Sequence, residues 1–431
     1  MKQFAIRPVV LAGLLATTTL SAWATDGYFA HGYGIKAKGM GGAAVASTDN
    51  AFAGANNPAT AAWAGSRMEA GVDLFMPDRG MSRTGGMDAN VTSDSKSFLV
   101  PEFGYNKVHN AQISYGVTVY GNGGMNTDYA GGQTDCGNFG GPGKNALCGS
   151  DRLGVNLMQL IIAPTLGYKL DDKHAVGISP LIIVQQFSAE GLQLFTQGLP
   201  GQPPFSSQGT KVTNNGNEKS TGIGVRLGYL GKMNDKLNVG VSYSPKISMS
   251  KLGSYAGLFA EGGGFDIPEN YSVGFTYQLT SQTQIAMDYQ RIGYSGVRSI
   301  GNPQANIFSS QMGLAAGPGF GWSDVDVFKL GVQWQQTPKL QLRAGYNKST
   351  NPIKSADVTF NILAPGVITD HYTLGGTYAL EGNKEVSFYY MYAPEQKVTG
   401  DSLFRNFGVA TATETIRMSQ QSLGVQFGWK Y

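Results

Sequence analysis

The last nine residues alternate without interruption. Leu423, Val425, Phe427, Trp429 and Tyr431 share one parity; Gly424, Gln426, Gly428 and Lys430 share the other. Successive side chains of an extended strand point to opposite faces, so this segment reads as a strand with one broad apolar face and one small or polar face. The same period recurs at Ile223, Val225, Leu227 and Tyr229, at Val273, Phe275, Tyr277 and Leu279, and at Phe328, Leu330, Val332 and Trp334. A chain of many such strands must find something apolar to cover one entire face. A bilayer does this for a closed barrel, which also leaves no unpaired backbone edge in hydrocarbon.

The alternating segments predict fourteen strands, at 67–79, 97–107, 110–121, 153–170, 174–188, 219–232, 236–249, 270–280, 283–295, 324–336, 338–350, 367–380, 384–394 and 418–431. Six polar turns, among them "NKVHN", "KLDDKH" and "LEGNK", and seven long stretches join them. An even strand number, with tight turns at one rim and long loops at the other, is the plan of an outer-membrane barrel. A secreted β-sandwich or propeller would not account for that asymmetry or for the aromatic C-terminus. The expected fold is all-β, a 14-stranded antiparallel transmembrane β-barrel. About eight strands close around side chains alone, and about sixteen or more around a water channel. Fourteen should leave a lumen that needs a stopper or acts as a pore.

The N-terminus carries Lys2 and Arg7, an apolar run from Pro8 to Leu20, and small residues at Ala22 and Ala24. This is the pattern of a secretory leader cut after Ala24; a spanning helix would need about 20 apolar residues. Export makes a disulfide the expected state of the two cysteines, Cys136 and Cys148, stabilising their loop by about 3 kcal/mol in the chain-entropy view. Zinc is the poorer reading, since two ligands with no nearby histidine do not complete a site. Thirty-two basic residues, two of them in the leader, face 29 acidic ones. The exported chain is thus near neutral and shows no nucleic-acid footprint. No metal or other cofactor is expected.

Residues 25–66 carry no sustained alternation and are rich in Gly and Ala. A disordered tail would be more charged and poorer in Ala, Phe and Tyr. A compact plug in the barrel fits better. The stretch "GYGIKAKGMGGAAVASTDNAFAGANNPA" resembles the N-terminal hatch of the FadL/TodX family of outer-membrane transporters for long-chain fatty acids and other hydrophobic compounds. Asn57-Pro58-Ala59 stands where that family has its hatch motif. "YAGLFAEGGGFDIPENY" (255–271) and "GPGFGWSDVDVFKLGVQWQ" (317–335) are similar to it as well, and the likeness spans essentially all of the mature chain. The expected division is a leader at 1–24, a hatch at 25–66 and a barrel at 67–431. The resemblance implies passive uptake: a hydrophobic ligand lands between extracellular loops, moves to a deeper pocket near the hatch, and leaves after the hatch shifts. The exit it implies is lateral, at a kink in the third strand, where Gly116, Gly121, Gly123 and Gly124 are candidates. The expected partners are that ligand and the lipid and lipopolysaccharide of the outer membrane, around a monomer.

Candidate ligand contacts follow from the residues. Leu252, Tyr255, Leu258 and Phe259 in one expected loop, and Leu192, Leu194, Phe195, Leu199 and Phe205 in the loop before it, are apolar for exposed segments. They make candidate landing sites or a mutual lid. Parity points Phe75, Ile161, Leu181, Ile183, Tyr389 and Met391 into the lumen, together with Arg226, Lys329 and Arg343 as candidate partners of a carboxylate. Tyr28 and Phe29 could reach the pocket from the hatch. The four histidines, His31, His109, His174 and His371, sit near no evident nucleophile, so the expectation is a channel and not an enzyme. Uptake of aromatic hydrocarbons by the same route is the near alternative; a general diffusion porin is the more distant one.

Overall fold

The computed structural model describes residues 26–199 and 201–431; the expected leader and Thr25 lie outside them. The described residues form fifteen strands: β1 (Arg67–Thr84), β2 (Ala89–Thr92), β3 (Phe98–Val108), β4 (Ile113–Tyr129), β5 (Leu153–Lys169), β6 (His174–Glu190), β7 (Glu218–Lys232), β8 (Leu237–Ser244), β9 (Asn270–Gln278), β10 (Thr283–Ile292), β11 (Val325–Gln335), β12 (Leu340–Ser349), β13 (Asp370–Ala379), β14 (Lys384–Asp401) and β15 (Thr413–Lys430). Fourteen are staves of an antiparallel barrel, while β2 is a short ribbon on the outer end of β1. The barrel closes where β1 pairs with β15, from Arg67↔Lys430 to Thr84↔Thr413.

The parity of the last strand is realised as read. Leu423, Val425, Phe427 and Trp429 are exposed on the outer wall, while Ser422, Gly424, Gln426 and Gly428 are buried within. No described helix is long and apolar enough to cross a membrane; here the strands cross. Several strands differ from the predicted bounds at the long-loop rim. β1, β14 and β15 continue beyond the expected ends because their outer halves still pair with one another, as in Asp401↔Thr413. β4 runs on to Tyr129 through a glycine-rich stretch that reads as loop, since β5 pairs with it throughout.

Residues 26–66 lie inside the barrel and are almost entirely buried. The wall receives them at inward-facing glycines. A Cβ on Gly177 would sit 2.2 Å from the Pro58 carbonyl carbon, one on Gly228 2.0 Å from the Asn57 Oδ1, and one on Gly345 2.0 Å from the Gly41 nitrogen. Asn57 is the keystone of the Asn-Pro-Ala stretch. Its Oδ1 caps the 3-10 turn Pro58–Ala62 by accepting from Ala59 N at 3.0 Å, with Pro58 at the first helical position. Its Nδ2 donates to the carbonyls of Val45 and of Tyr229 on β7, at 2.7 and 2.9 Å.

Charge holds the plug on one side of the wall. Lys36 pairs with Glu69 at 2.8 Å and with Glu385, and Lys38 pairs with Asp73 at 3.0 Å and Glu102 at 2.9 Å. These lysines belong to one helical turn, Ile35–Lys38, and reach strands β1, β3 and β14. On the far side Asp288 of β10 accepts the Ala44 and Val45 amides at 2.7 and 2.9 Å. Removing one partner of such a buried pair leaves an uncompensated charge, which costs about 3–5 kcal/mol. The plug is therefore fastened at several separate points.

Candidate ligand-transport site

Two cavities lie at different depths. The outer one is made by the long loops. Leu192 and Phe195 come from the β6–β7 loop and Leu258 and Phe259 from the β8–β9 loop. Met312, Pro318, Phe320, Phe360 and Leu363 come from two later loops, and Leu147 from the β4–β5 loop. That last loop is cinched by the Cys136–Cys148 disulfide. Its neighbour Asn145 fixes the turn by donating to the Gly191 carbonyl and accepting from the Leu147 and Gly149 amides.

Of the two expected arrangements, landing site and mutual lid, the packing of the loops is that of a lid. Phe259 and Phe195 are buried, since the loops pack on each other; Phe259 sits 4.7 Å from Phe187 and 5.0 Å from Phe265. Leu252 and Tyr255 are buried behind the cavity, where the Tyr255 hydroxyl donates to the Gly216 carbonyl at 2.6 Å and its ring meets Phe187. Leu194 and Leu199 are half-buried against the same cluster, and Phe205 joins Phe195 to Phe407.

The inner cavity lies between the plug and β7–β11. Phe29, Tyr33, Val45 and Asn56 of the plug line it, opposite Arg226, Ser242, Asn270, Asp288, Gln290 and Lys329. The two cations here differ. Arg226 is committed to the plug, donating to the carbonyls of Gly54 at 3.0 Å and Ala55, and to the Tyr120 hydroxyl at 3.1 Å. The Lys329 ammonium has no hydrogen-bonding or ion-pairing partner among the described residues and faces the cavity; Asp26 and Asp288 act on it only at longer range. Arg343 is elsewhere: it hydrogen-bonds Gln333, Thr377 and Gln341 and reaches Asp49 at 3.5 Å, so it supports the plug. Phe75, Ile161, Leu181, Ile183, Tyr389 and Met391 do face inward, but none lines either of these two cavities. Phe75 stacks near Phe98, Ile161 stands opposite Ile183, and Tyr389 bonds Asp73 at 2.5 Å.

An aromatic chain joins the two depths. Phe320 of the outer cavity is 6.2 Å from Trp322, Trp322 is 6.2 Å from Tyr28 and 5.1 Å from Tyr294, and Tyr28 is 5.3 Å from Phe29 of the inner cavity. Tyr294 donates to the Asp26 carbonyl at 2.6 Å and accepts from the Tyr28 and Phe29 amides. It holds the first plug residues in place.

Those residues abut a stretch where the ladder between β3 and β4 is interrupted. β3 pairs with β4 only from Val108↔Ser114 to Phe103↔Val119; beyond that, β4 pairs with β5 alone. Pro101 falls in the stretch of β3 without a β4 partner, a place where a missing N–H is tolerated. The seam shuts again higher up, where Ser93 bridges Tyr129 and the Asp94 amide donates to the Asp128 carbonyl at 2.8 Å. Beside the seam β4 bulges at Asn122, with the register broken between Gly121 and Gly123. Gly116 is regularly paired on both sides and makes no kink. Phe29 bridges Gly123, and a Cβ there would lie 1.8 Å from the Tyr28 carbonyl oxygen, so only glycine lets the plug approach this closely.

Sequence reasoning missed Leu147, Phe320, Phe360 and Leu363 in the outer cavity, and Tyr33, Asp288 and Gln290 in the inner one. A signal existed for some. The loop segment "FNILAPGVI" (360–368) is too apolar to stand in water, and Asp288 shares its strand face with Ala286 and Gln290.

A closed, plugged barrel with an apolar antechamber defines an outer-membrane channel for solutes that avoid water. The chain matches the family described as outer membrane protein transport protein (OMPP1/FadL/TodX) over residues 16–429, and it belongs to that family. It is thus an outer-membrane passive transporter of hydrophobic compounds and not an enzyme. Its fold is similar to that of the Pseudomonas putida toluene transporter TodX, at 18% identity over 93% of this chain and 99% of that one, with a TM-score of 0.66. A FadL homologue of Pseudomonas aeruginosa, at 14% identity over 94% and 99%, gives 0.67, and the Ralstonia pickettii toluene transporter TbuX, at 18% over 93% and 99%, gives 0.62. No curated protein matches the sequence.

Proposed function

We propose that the ligand is a long-chain fatty acid or a similar hydrophobic acid, captured in the outer cavity and bound more deeply with its carboxylate at Lys329. The observation that carries this reading is the Lys329 ammonium, buried, unpaired among the described residues and facing a cavity that Arg226 also lines. Each methylene leaving water contributes about 0.8 kcal/mol, so capture needs no external energy. The aromatic chain from Phe320 to Phe29 is the path between the cavities. The plug, fastened by buried ion pairs, stays in place; the rearrangement that releases the ligand is confined to residues 26–30, and release is lateral, through the seam between β3 and β4. Neutral aromatic hydrocarbons are the second reading, favoured by the largely apolar outer cavity and by the toluene transporters among the structural neighbours.

The test compares oleate with methyl oleate, binding each to purified protein in detergent by calorimetry. The intact protein binds the acid more tightly than the ester. Lys329→Met weakens the acid by about ten- to a hundred-fold, the range of a hydrogen bond to a charged group, and leaves the ester unchanged. Equal affinity for both ligands in the intact protein would remove the acid from consideration and leave the neutral hydrocarbon.

A further inference from the structure

A third, smaller cavity lies behind the seam. Met125 and Asn126 of β4, Met418 of β15, Trp322 and the inward-folded segment 364–366 line it, together with Arg79 of β1. Arg79 is buried at 2% exposure, yet no carboxylate pairs with it among the described residues. Its terminal nitrogens donate to two carbonyl oxygens on opposite sides of the seam, Ser95 before β3 and Asn126 on β4. Its Nε has no hydrogen-bond partner among the described residues, and the guanidinium lies over Phe98 with 5.5 Å to the ring centroid.

Two repeats of the pleat away, on the same face of the same strand, the fold treats an arginine differently. Arg83 pairs with Glu414 at 2.6 Å and donates to the Ala146 carbonyl at 2.8 Å. A buried guanidinium without a counter-charge is costly unless something supplies one. Carbonyl oxygens solvate it in part, and a fork of this geometry suits a carboxylate. The surrounding methionines are soft, adaptable contacts for the first carbons of a chain.

We propose that Arg79 is a second carboxylate-docking residue, at the seam, which receives the head group of an acidic ligand as it leaves the inner cavity for the membrane. This rests on the reading of the ligand as an acid. The seam is then selective in its own right: the carboxylate replaces the carbonyl of Ser95 or Asn126 on the guanidinium and frees one lip of the seam.

The experiment measures cellular uptake of oleate and of methyl oleate, with equilibrium oleate binding to the purified protein alongside. Assembly is checked by heat-dependent migration of the barrel. Arg79→Gln lowers oleate uptake about ten-fold, leaves methyl oleate uptake unchanged, and leaves oleate affinity intact, since Lys329 still holds the acid. Arg79→Lys, which keeps the charge but not the fork, lowers the acid-to-ester ratio by less, and it carries the test if the glutamine variant does not assemble. The proposal is overturned if acid and ester fall together, as a merely bracing role requires, or if neither falls. An intact protein that does not distinguish oleate from its ester overturns the acid reading itself. Sensitivity at Lys329 with none at Arg79 overturns this inference alone.

Discussion

The two main cavities have opposite construction. The outer one is a meeting of loops: five of the seven long connections contribute, and apart from Ser299 and Gly319 the lining is aliphatic or aromatic. The inner one is a meeting of strands with the plug, and its lining includes Arg226, Asp288, Gln290 and Lys329. An apolar wall gains from any apolar ligand that fits and rejects isosteres only weakly. A charged group on a packed strand is fixed in place and discriminates. On this view the loops supply capture and the strands supply selection, in that order along the path.

The sharpest way to break the comparison is to remove what separates the chambers from the periplasm. Deleting residues 26–60 leaves the staves with their complete β1–β15 closure, so the barrel still assembles. Its lumen becomes continuous, and small ions leak through planar bilayers that the intact protein leaves closed. Unchanged conductance would mean that some other segment closes the tube and that the inner cavity is not bounded by the plug. A smaller effect separates the chambers directly. Phe259→Asp places a charge in the outer wall, and we expect oleate and methyl oleate uptake to fall together by about ten-fold or more. This contrasts with Lys329→Met, which touches the acid alone. If Phe259→Asp spares the ester, the outer cavity already reads charge and the division of labour is wrong.

The barrel was legible because its signal is periodic. Period two is forced on any strand with lipid on one face, so the outward row from Leu423 to Tyr431 needed no tertiary knowledge. The direction of Arg226, Lys329 and Arg343 followed from the same parity. Their differing partners did not, because these are set by where the plug backbone runs: Arg226 meets the carbonyls of Gly54 and Ala55, while Lys329 meets none. The seam was only half legible. Glycines marked the region, but Gly116 and Gly121 look alike in sequence, and only the contact of Phe29 with Gly123 singles out the bulge. Loop cavities were least legible, since residues such as Leu147 and Phe360 reach one another through turns and a disulfide loop with no shared period.

The smallest expected effect concerns how firmly the first plug residues close the inner cavity. Burial lifts the Asp26 carboxyl to about 6, against the pull of Lys329 and a hydrogen bond from Asn347. A carboxyl raised in the docked state binds protons that the free segment has already lost. Docking of residues 26–30 is therefore strongest below about pH 4 and weakens as pH rises to about 6, by up to about 3 kcal/mol for two units. His31, stacked on His371 at 5.6 Å and held well below its ordinary value by burial, works with the opposite sign, losing docking as pH falls below its free value. Hydrogen exchange at the Tyr28, Phe29 and Ala30 amides separates the two. In Asp26→Asn only the histidine contribution remains, and protection falls on acidification; in His31→Gln protection falls as pH rises from about 4 to 6. The same slope in both variants would mean that these groups do not control the segment, and that the inner cavity's charge acts on the ligand without acting on its gate.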